Sequence, residues 1–278
     1  MQFEEKFIAF IDVLGFKDMV ESAENRTGRT LSELMESLSK LGTIEDEMRL
    51  TIYGSAICPQ STFNQQNLNF KITQISDCVI VTSEISPAGA ISLINHCWVA
   101  VMGLLREGIL CRGYITKGSI YHQNNQIVGT GYQKAYEKES GVCAFKMEAD
   151  ERGTPFVEID PLVSQYIMTS TDECVQKMFS RMVKTEEETT ALFPFKRLSH
   201  SFIISKFDPE KEKKSNDNIR KSLYSLKEKI MKYIQPSNEK AMRKVRHYIK
   251  AIDQQLQVCD ETDKMIEKLL QPLNLRKL

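Results

Sequence analysis

Phe7-Ile8-Ala9-Phe10-Ile11-Asp12-Val13-Leu14-Gly15-Phe16 is the stretch on which the reading of this chain turns. Five apolar residues in a row, aromatic and β-branched among them, read as a strand buried on both faces. Asp12 then breaks the run. An aspartate beside apolar strand residues is costly unless something positive compensates it. Gly15 follows, and Lys17 to Glu24 has helix-compatible composition, so Asp12 and Gly15 fall where a strand becomes a helix.

Downstream, Thr30-Leu31-Ser32-Glu33 is a capping-box signature with Leu31, Leu34, Met35, Leu38 and Leu41 at helical spacing. Gly54 to Asn69, rich in Ser, Gln and Asn, reads as a loop. Phe70 and Ile72 alternate with Lys71 and Thr73, and Cys78-Val79-Ile80-Val81 resumes after Ser76-Asp77, which predicts a hairpin with Asp77 at its tip. Ser86, Pro87 and Gly108 bracket a long apolar helix. Cys111 to His122 is strand-like but interrupted by Gly113 and Gly118; Gln123-Asn124-Asn125 is a turn, and Thr130 to Ser140 can form a helix. Strands are expected again at Phe156-Val157-Glu158-Ile159 and Phe202-Ile203-Ile204, with a mostly helical insertion between them. The order β-α-α-β-β-α-β-β-α-β fits an α+β domain with an antiparallel sheet backed by helices over residues 1–209. Residues 210–278 are a charge-rich helical hairpin broken at Pro236 and Ser237, packed on the main domain or on a second subunit.

Composition excludes several classes. Hydrophobic residues at 41% and charged residues at 27% rule out wholesale disorder. Thirty-seven Lys and Arg balance thirty-seven Asp and Glu, so no global positive field draws the chain to nucleic acid or an anionic membrane. Apolar stretches look shorter than the ~20 residues that span a bilayer, and the N-terminus lacks a signal pattern, so a cytoplasmic protein is expected. Seven cysteines without a C-x-x-C pair argue against a disulfide framework and a zinc site. His96 reads as a packed helix residue and His122 as a turn cap.

Asp12 and Asp77 are the residues that invite chemistry. They could converge on a divalent cation, for which oxygen-only ligands suit Mg²⁺ or Mn²⁺, with the helix start at Gly15 offering N–H groups to a phosphate. They could equally be an N-cap and a turn residue.

Four motifs resemble those of the class III nucleotidyl cyclases. Phe10-Ile11-Asp12-Val13-Leu14-Gly15-Phe16 is similar to their first metal motif, Ile75-Ser76-Asp77 to the second, Arg112-Gly113-Tyr114-Ile115-Thr116-Lys117-Gly118 to the following strand motif, and Gly129-Thr130-Gly131 through Ala135 to Glu139-Ser140 to the helix after it. They run in family order over residues 5 to 160, and the helix most resembles that of the bacterial antiphage Pycsar pyrimidine cyclases. The resemblance implies the cyclase fold. It also implies that Asp12 and Asp77 hold two Mg²⁺ or Mn²⁺ ions per site, that Gly15 and Phe16 wrap the triphosphate, and that a homodimer forms active sites at its interface. The ribose-contacting position is Gln133, and the position of the transition-state arginine is Glu137. A carboxylate cannot stabilise developing phosphoryl charge, so Arg112, then Lys134, are the expected substitutes. The base-selecting positions are Thr73 and Gln126, which suit a pyrimidine of UTP or CTP rather than adenine. By the same resemblance, an effector responding to the cyclic product is an indirect partner.

Overall fold

The computed structural model describes residues 1–195, 208–232, 234 and 237–270. Strand β1 (Glu4–Val13) is central: it pairs antiparallel with β3 (Cys78–Glu84), Asp12 opposite Cys78, and antiparallel with β4 (Cys111–Gln123), Asp12 opposite Arg112. Strands on both sides and helices on both faces explain the unbroken apolar run: Phe7, Ile8, Ala9 and Ile11 are wholly inaccessible to solvent. The sheet order is β2 (Phe70–Ile75), β3, β1, β4, β6 (Val157–Ile159), β8 (Thr189–Leu192), β7 (Val183–Glu186), with β5 (Gln126–Val128) hooked onto the end of β4. Every pairing is antiparallel except that of β4 with β6, which is reached through helix α5 (Thr130–Glu139). The expected mixed α+β class with a mostly antiparallel sheet therefore holds.

Successive β1 side chains serve opposite faces. Phe7, Ala9, Ile11 and Val13 enter the main core with Val79, Val81 and the apolar side of α4 (Pro87–Arg106), while Ile8 and Phe10 join Ile80, Ile120 and Ala135 of α5 in a smaller cluster. Helix α5 can approach β4 because glycines meet there: a Cβ on Gly118 would lie 2.8 Å from Gly131 Cα. Ser86 accepts from Gly89 N–H at 2.9 Å to start α4, as its sequence predicts. The twenty residues of α4 are apolar and long enough to cross a membrane by composition, contrary to the expectation that no stretch is. Most of that length is buried against the sheet and neighbouring helices, which accounts for its hydropathy without a bilayer.

Helices α1 (Phe16–Glu24), α2 (Leu31–Leu38) and α3 (Ile44–Tyr53) follow β1. Thr30 and Glu33 form the expected capping box. Thr43 and Asp46 form a second, unforeseen one that starts α3. The insertion after β6 contains α6 (Pro161–Met168) and α7 (Glu173–Met182), as expected, together with the β7–β8 hairpin, which was not expected. The strand proposed at Phe202–Ile204 lies outside the described residues. Glycines 113 and 118 do not interrupt β4, which runs unbroken for 13 residues.

Helices α8 (Pro209–Lys232) and α9 (Glu239–Leu270) form the C-terminal hairpin, with the break near Ser237 and Pro236 itself outside the described residues. Asn216 donates to Cys259 O and to Asp263, and Arg220 pairs with Asp217, Asp260 and Asp263, locking the two helices together. Of the two packings open to the sequence, the hairpin adopts the one on the main body. Leu223, Ile230, Val245, Tyr248 and Ile252 share a core with Met102, Leu105, Tyr114 and Phe156. The Tyr248 ring stacks on Phe156 at 5.2 Å, and its hydroxyl donates to Pro155 O at 2.9 Å.

Candidate functional site

Asp12 is the penultimate residue of β1 and shares the α5 side of the sheet with Ile8 and Phe10, just past the end of their apolar cluster. Asp77 belongs to the two-residue turn between β2 and β3, where Ser76 takes a left-handed conformation at φ 54°. The Asp77 carbonyl accepts the Val13 N–H at 3.1 Å, which ties the hairpin tip to the end of β1 and sets the two aspartates side by side. Asp12 accepts no hydrogen bond from a described residue. Burial, then the charges of Asp77 and Glu139, push its carboxyl up to about 6, against the opposing pull of Arg112 and Lys244. Half-buried carboxylates that repel one another and lack protein donors are the chemistry a cation would satisfy, and oxygen ligands fit Mg²⁺ or Mn²⁺. Among the described residues no group of three or more His, Cys, Asp or Glu side chains is placed to hold a metal ion, so an ion on this pair would take most of its coordination from water and ligand oxygens.

Leu14 donates to Leu110 O at 2.9 Å, and the chain then turns through Gly15 in the left-handed region (φ 76°) into α1. No side chain caps this helix, leaving its first-turn N–H groups open to an anion beside Asp12. Phe16 is partly buried with its ring packed against the main core.

The two expected substitute cations are both engaged. Arg112 donates through Nε to the buried Glu139 and through Nη1 to Gly153 O at 3.4 Å. Lys134 pairs with Asp160 at 2.6 Å; that carboxylate also accepts from Thr116 and from Leu162 N–H, and these bonds hold it below the ordinary aspartate range despite its burial. Gln133 and Glu137 are exposed one turn apart on α5.

Thr73 and Gln126 do not meet. Thr73 is buried and lines a cavity of about 490 Å³ with Gly42, Thr43, Gln74 and Asn125, whereas Gln126 lies on the exposed β5 edge among Phe3, Tyr121 and Val128. The residue that closes on Thr73 is Asn125, at 3.5 Å. His122 is not a turn cap: it sits within β4, 2% exposed, with Nε2 at 2.8 Å from Thr73 Oγ1 and Nδ1 at 2.9 Å from Thr82 Oγ1. Burial pushes it down to about 4, so it stays neutral near pH 7. His96 is the packed residue expected, bonded to Leu41 O at 3.1 Å. Glu139, Asn125 and Lys244 carry no role in the sequence reading. Nothing local marks them, because each acquires its neighbours only through long-range packing.

Neither a protein-family model nor a curated protein matches the chain. Among solved structures the chain is similar to the catalytic core of a rhodopsin-guanylyl cyclase with converted specificity in complex with ATPαS. The identity is 13% over 69% of this chain and 95% of that one, with a TM-score of 0.37. It is also similar to a class III adenylyl cyclase-like ATP-binding protein from Pseudomonas aeruginosa, at 12% identity over 63% of this chain and 40% of that one, with a TM-score of 0.36.

Proposed function

We propose that this protein is a nucleotide cyclase that converts a nucleoside triphosphate, UTP or CTP, into the 3′,5′-cyclic monophosphate and pyrophosphate. The observation that carries the reading is the pair Asp12 and Asp77, held together by the Val13–Asp77 backbone bond, with no described residue donating a hydrogen bond to the Asp12 carboxylate. In the reaction the ribose 3′ oxygen bonds to the α-phosphorus, the bond from that phosphorus to the β-bridging oxygen breaks, the hydroxyl proton passes to solvent, and pyrophosphate leaves. Mg²⁺ or Mn²⁺ held by the two carboxylates would supply charge neutralisation and a lowered hydroxyl pKa. The chain's own contribution is to fix the carboxylates at a strand end and to offer the α1 backbone to the phosphates.

The pyrimidine preference rests on Thr73, whose hydroxyl His122 holds beside the cavity, and on the resemblance to the Pycsar cyclases. A homodimer, with Gln133 and Glu137 of one subunit facing the partner's site, a cytoplasmic location, and a role in antiphage signalling through an effector that reads the cyclic product belong to the same proposal.

Incubating the purified protein with each of the four ribonucleoside triphosphates and Mn²⁺, then separating products, tests it. A cyclic pyrimidine mononucleotide with stoichiometric pyrophosphate is expected. Dinucleotide products would replace the reading with a polymerase, and tight triphosphate binding without any product would replace it with a sensor, for which the pairing of Arg112 and Lys134 with carboxylates is the favouring observation.

A further inference from the structure

We infer that Lys244 of α9 is a phosphate-binding residue of the Asp12 site, so that the C-terminal hairpin completes the site that the sheet begins. The inference rests on the cyclase reading and names the cation that reading requires.

The need is one of charge. Asp12 is repelled by Asp77 and by Glu139, a triphosphate adds further negative charge, and the cations nearest by sequence are already committed: Arg112 to Glu139, Lys134 to Asp160.

The hairpin supplies what is missing. Three contacts fix α9 against the loop that precedes β6: His247 to Glu151 at 2.8 Å, Tyr248 to Pro155 O at 2.9 Å, and the Tyr248–Phe156 stack. The same loop holds Arg112 through Gly153 O. Arg112 and α9 are thus braced against one short segment, and Lys244, beside the buried Val245, lies one turn before Tyr248, the residue that packs on that segment. Its charge acts on Asp12, and it in turn feels Arg112 and Lys240 as repulsion and Glu139 and Asp12 as attraction. Lys244 is half-buried, and among the described residues no carboxylate pairs with it. Burying an ammonium beside a guanidinium with no anion in contact is unfavourable for folding alone. An anionic ligand bridging Lys244 and the open N–H groups of α1 removes that penalty.

The alternative is that the lysine stem merely packs on the hairpin core with its charge incidental. Binding of inorganic tripolyphosphate in the presence of Mn²⁺, measured by calorimetry on the full chain, separates the two without requiring turnover. Lys244→Met, which keeps the stem and removes the charge, should weaken binding at least fivefold. Lys244→Arg should lose less than Lys244→Met, and Lys250→Met, on the exposed side of α9, should leave it unchanged. Lys244→Gln serves if the Met variant does not fold. Less than a fivefold loss in the neutral variant overturns the inference, as does a parent that binds no tripolyphosphate. The cyclase reading fails separately. A parent that binds tripolyphosphate through Lys244 yet makes no cyclic product from any nucleotide removes the reaction and keeps the site. A cyclase indifferent to Lys244 does the reverse.

Discussion

Asp12 is more readily protonated in the fold than in the unfolded chain, and this fixes the sign of its effect on stability. At pH 4 and below, protonation in both states removes the penalty; as pH rises through about 6 the folded protein must hold a repelled carboxylate and loses stability. Asp12→Asn should therefore melt higher than the parent by about 2–4 °C at pH 8 without divalent cation, taking ~1 kcal/mol after allowance for solvent screening. The two melting curves should converge near pH 4. If the proposed cyclase reading holds, turnover of the same variant should fall at least ~100-fold, since an amide would not neutralise a divalent cation. A variant less stable than the parent at pH 8 would contradict the repulsion account. Arg112 raises the opposite case. Alanine there strands Glu139, which is 6% exposed, and should cost about 3 kcal/mol in urea denaturation, whereas Glu139→Gln in the same chain should recover much of that loss. If Arg112 also serves the nucleotide, the double variant regains stability without regaining kcat. The aspartates were legible in the sequence because a carboxylate that ends an apolar run asks for an explanation. His122 was not, because its partners Thr73 and Thr82 are 49 and 40 residues away and only the folded sheet brings them within reach.

Among the elements, those with strong local signals were readable: β1 by its apolar run, α2 by its capping box, α4 by Ser86 and Pro87. Helix α3 escaped because its box carries Asp46 rather than Glu or Gln at the third position and because Ile44, Met48 and Ile52 are exposed, blurring the apolar stripe; Glu47, accepting from Lys71 and Ile72 N–H, anchors it through tertiary contact. The β7–β8 hairpin is two four-residue strands around a polar turn, too short for alternation to stand out. The seat of α5 is the element whose sequence needs are strictest. Gly131→Ala gains about 1 kcal/mol in helix propensity but drives a Cβ against Ile8 and to 3.0 Å from the Gly118 backbone, which cannot yield as a side chain can. Overpacking of about 1–3 kcal/mol should win, lowering the urea midpoint and, through the displaced α5, the turnover. Gly141→Ala, whose Cβ would meet only Lys138 O at 3.6 Å, should change the midpoint little.

At the scale of the molecule, the charge-rich tail proved to be part of the body. Its sequence left open packing on the main domain or on a second subunit, and a stripe of Leu223, Ile230, Val245, Tyr248 and Ile252 closes the core over Tyr114 and Phe156. A chain ending at residue 207 should accordingly expose that apolar floor, bind a hydrophobic dye and elute as aggregate. A well-behaved truncated protein that only dissociates into monomers would show instead that the tail acts mainly between subunits. The central position of β1 carries a consequence for biosynthesis. This strand is made before its two neighbours, residues 78–84 and 111–123, which emerge much later. At about 5–20 residues per second, Phe7 to Ile11 waits on the order of ten seconds with both hydrogen-bonding edges bare. Such a segment, apolar and free of proline, is the kind that seeks intermolecular β-pairing, so nascent chains stalled before residue 111 should be held by a general chaperone and released once β4 has been made.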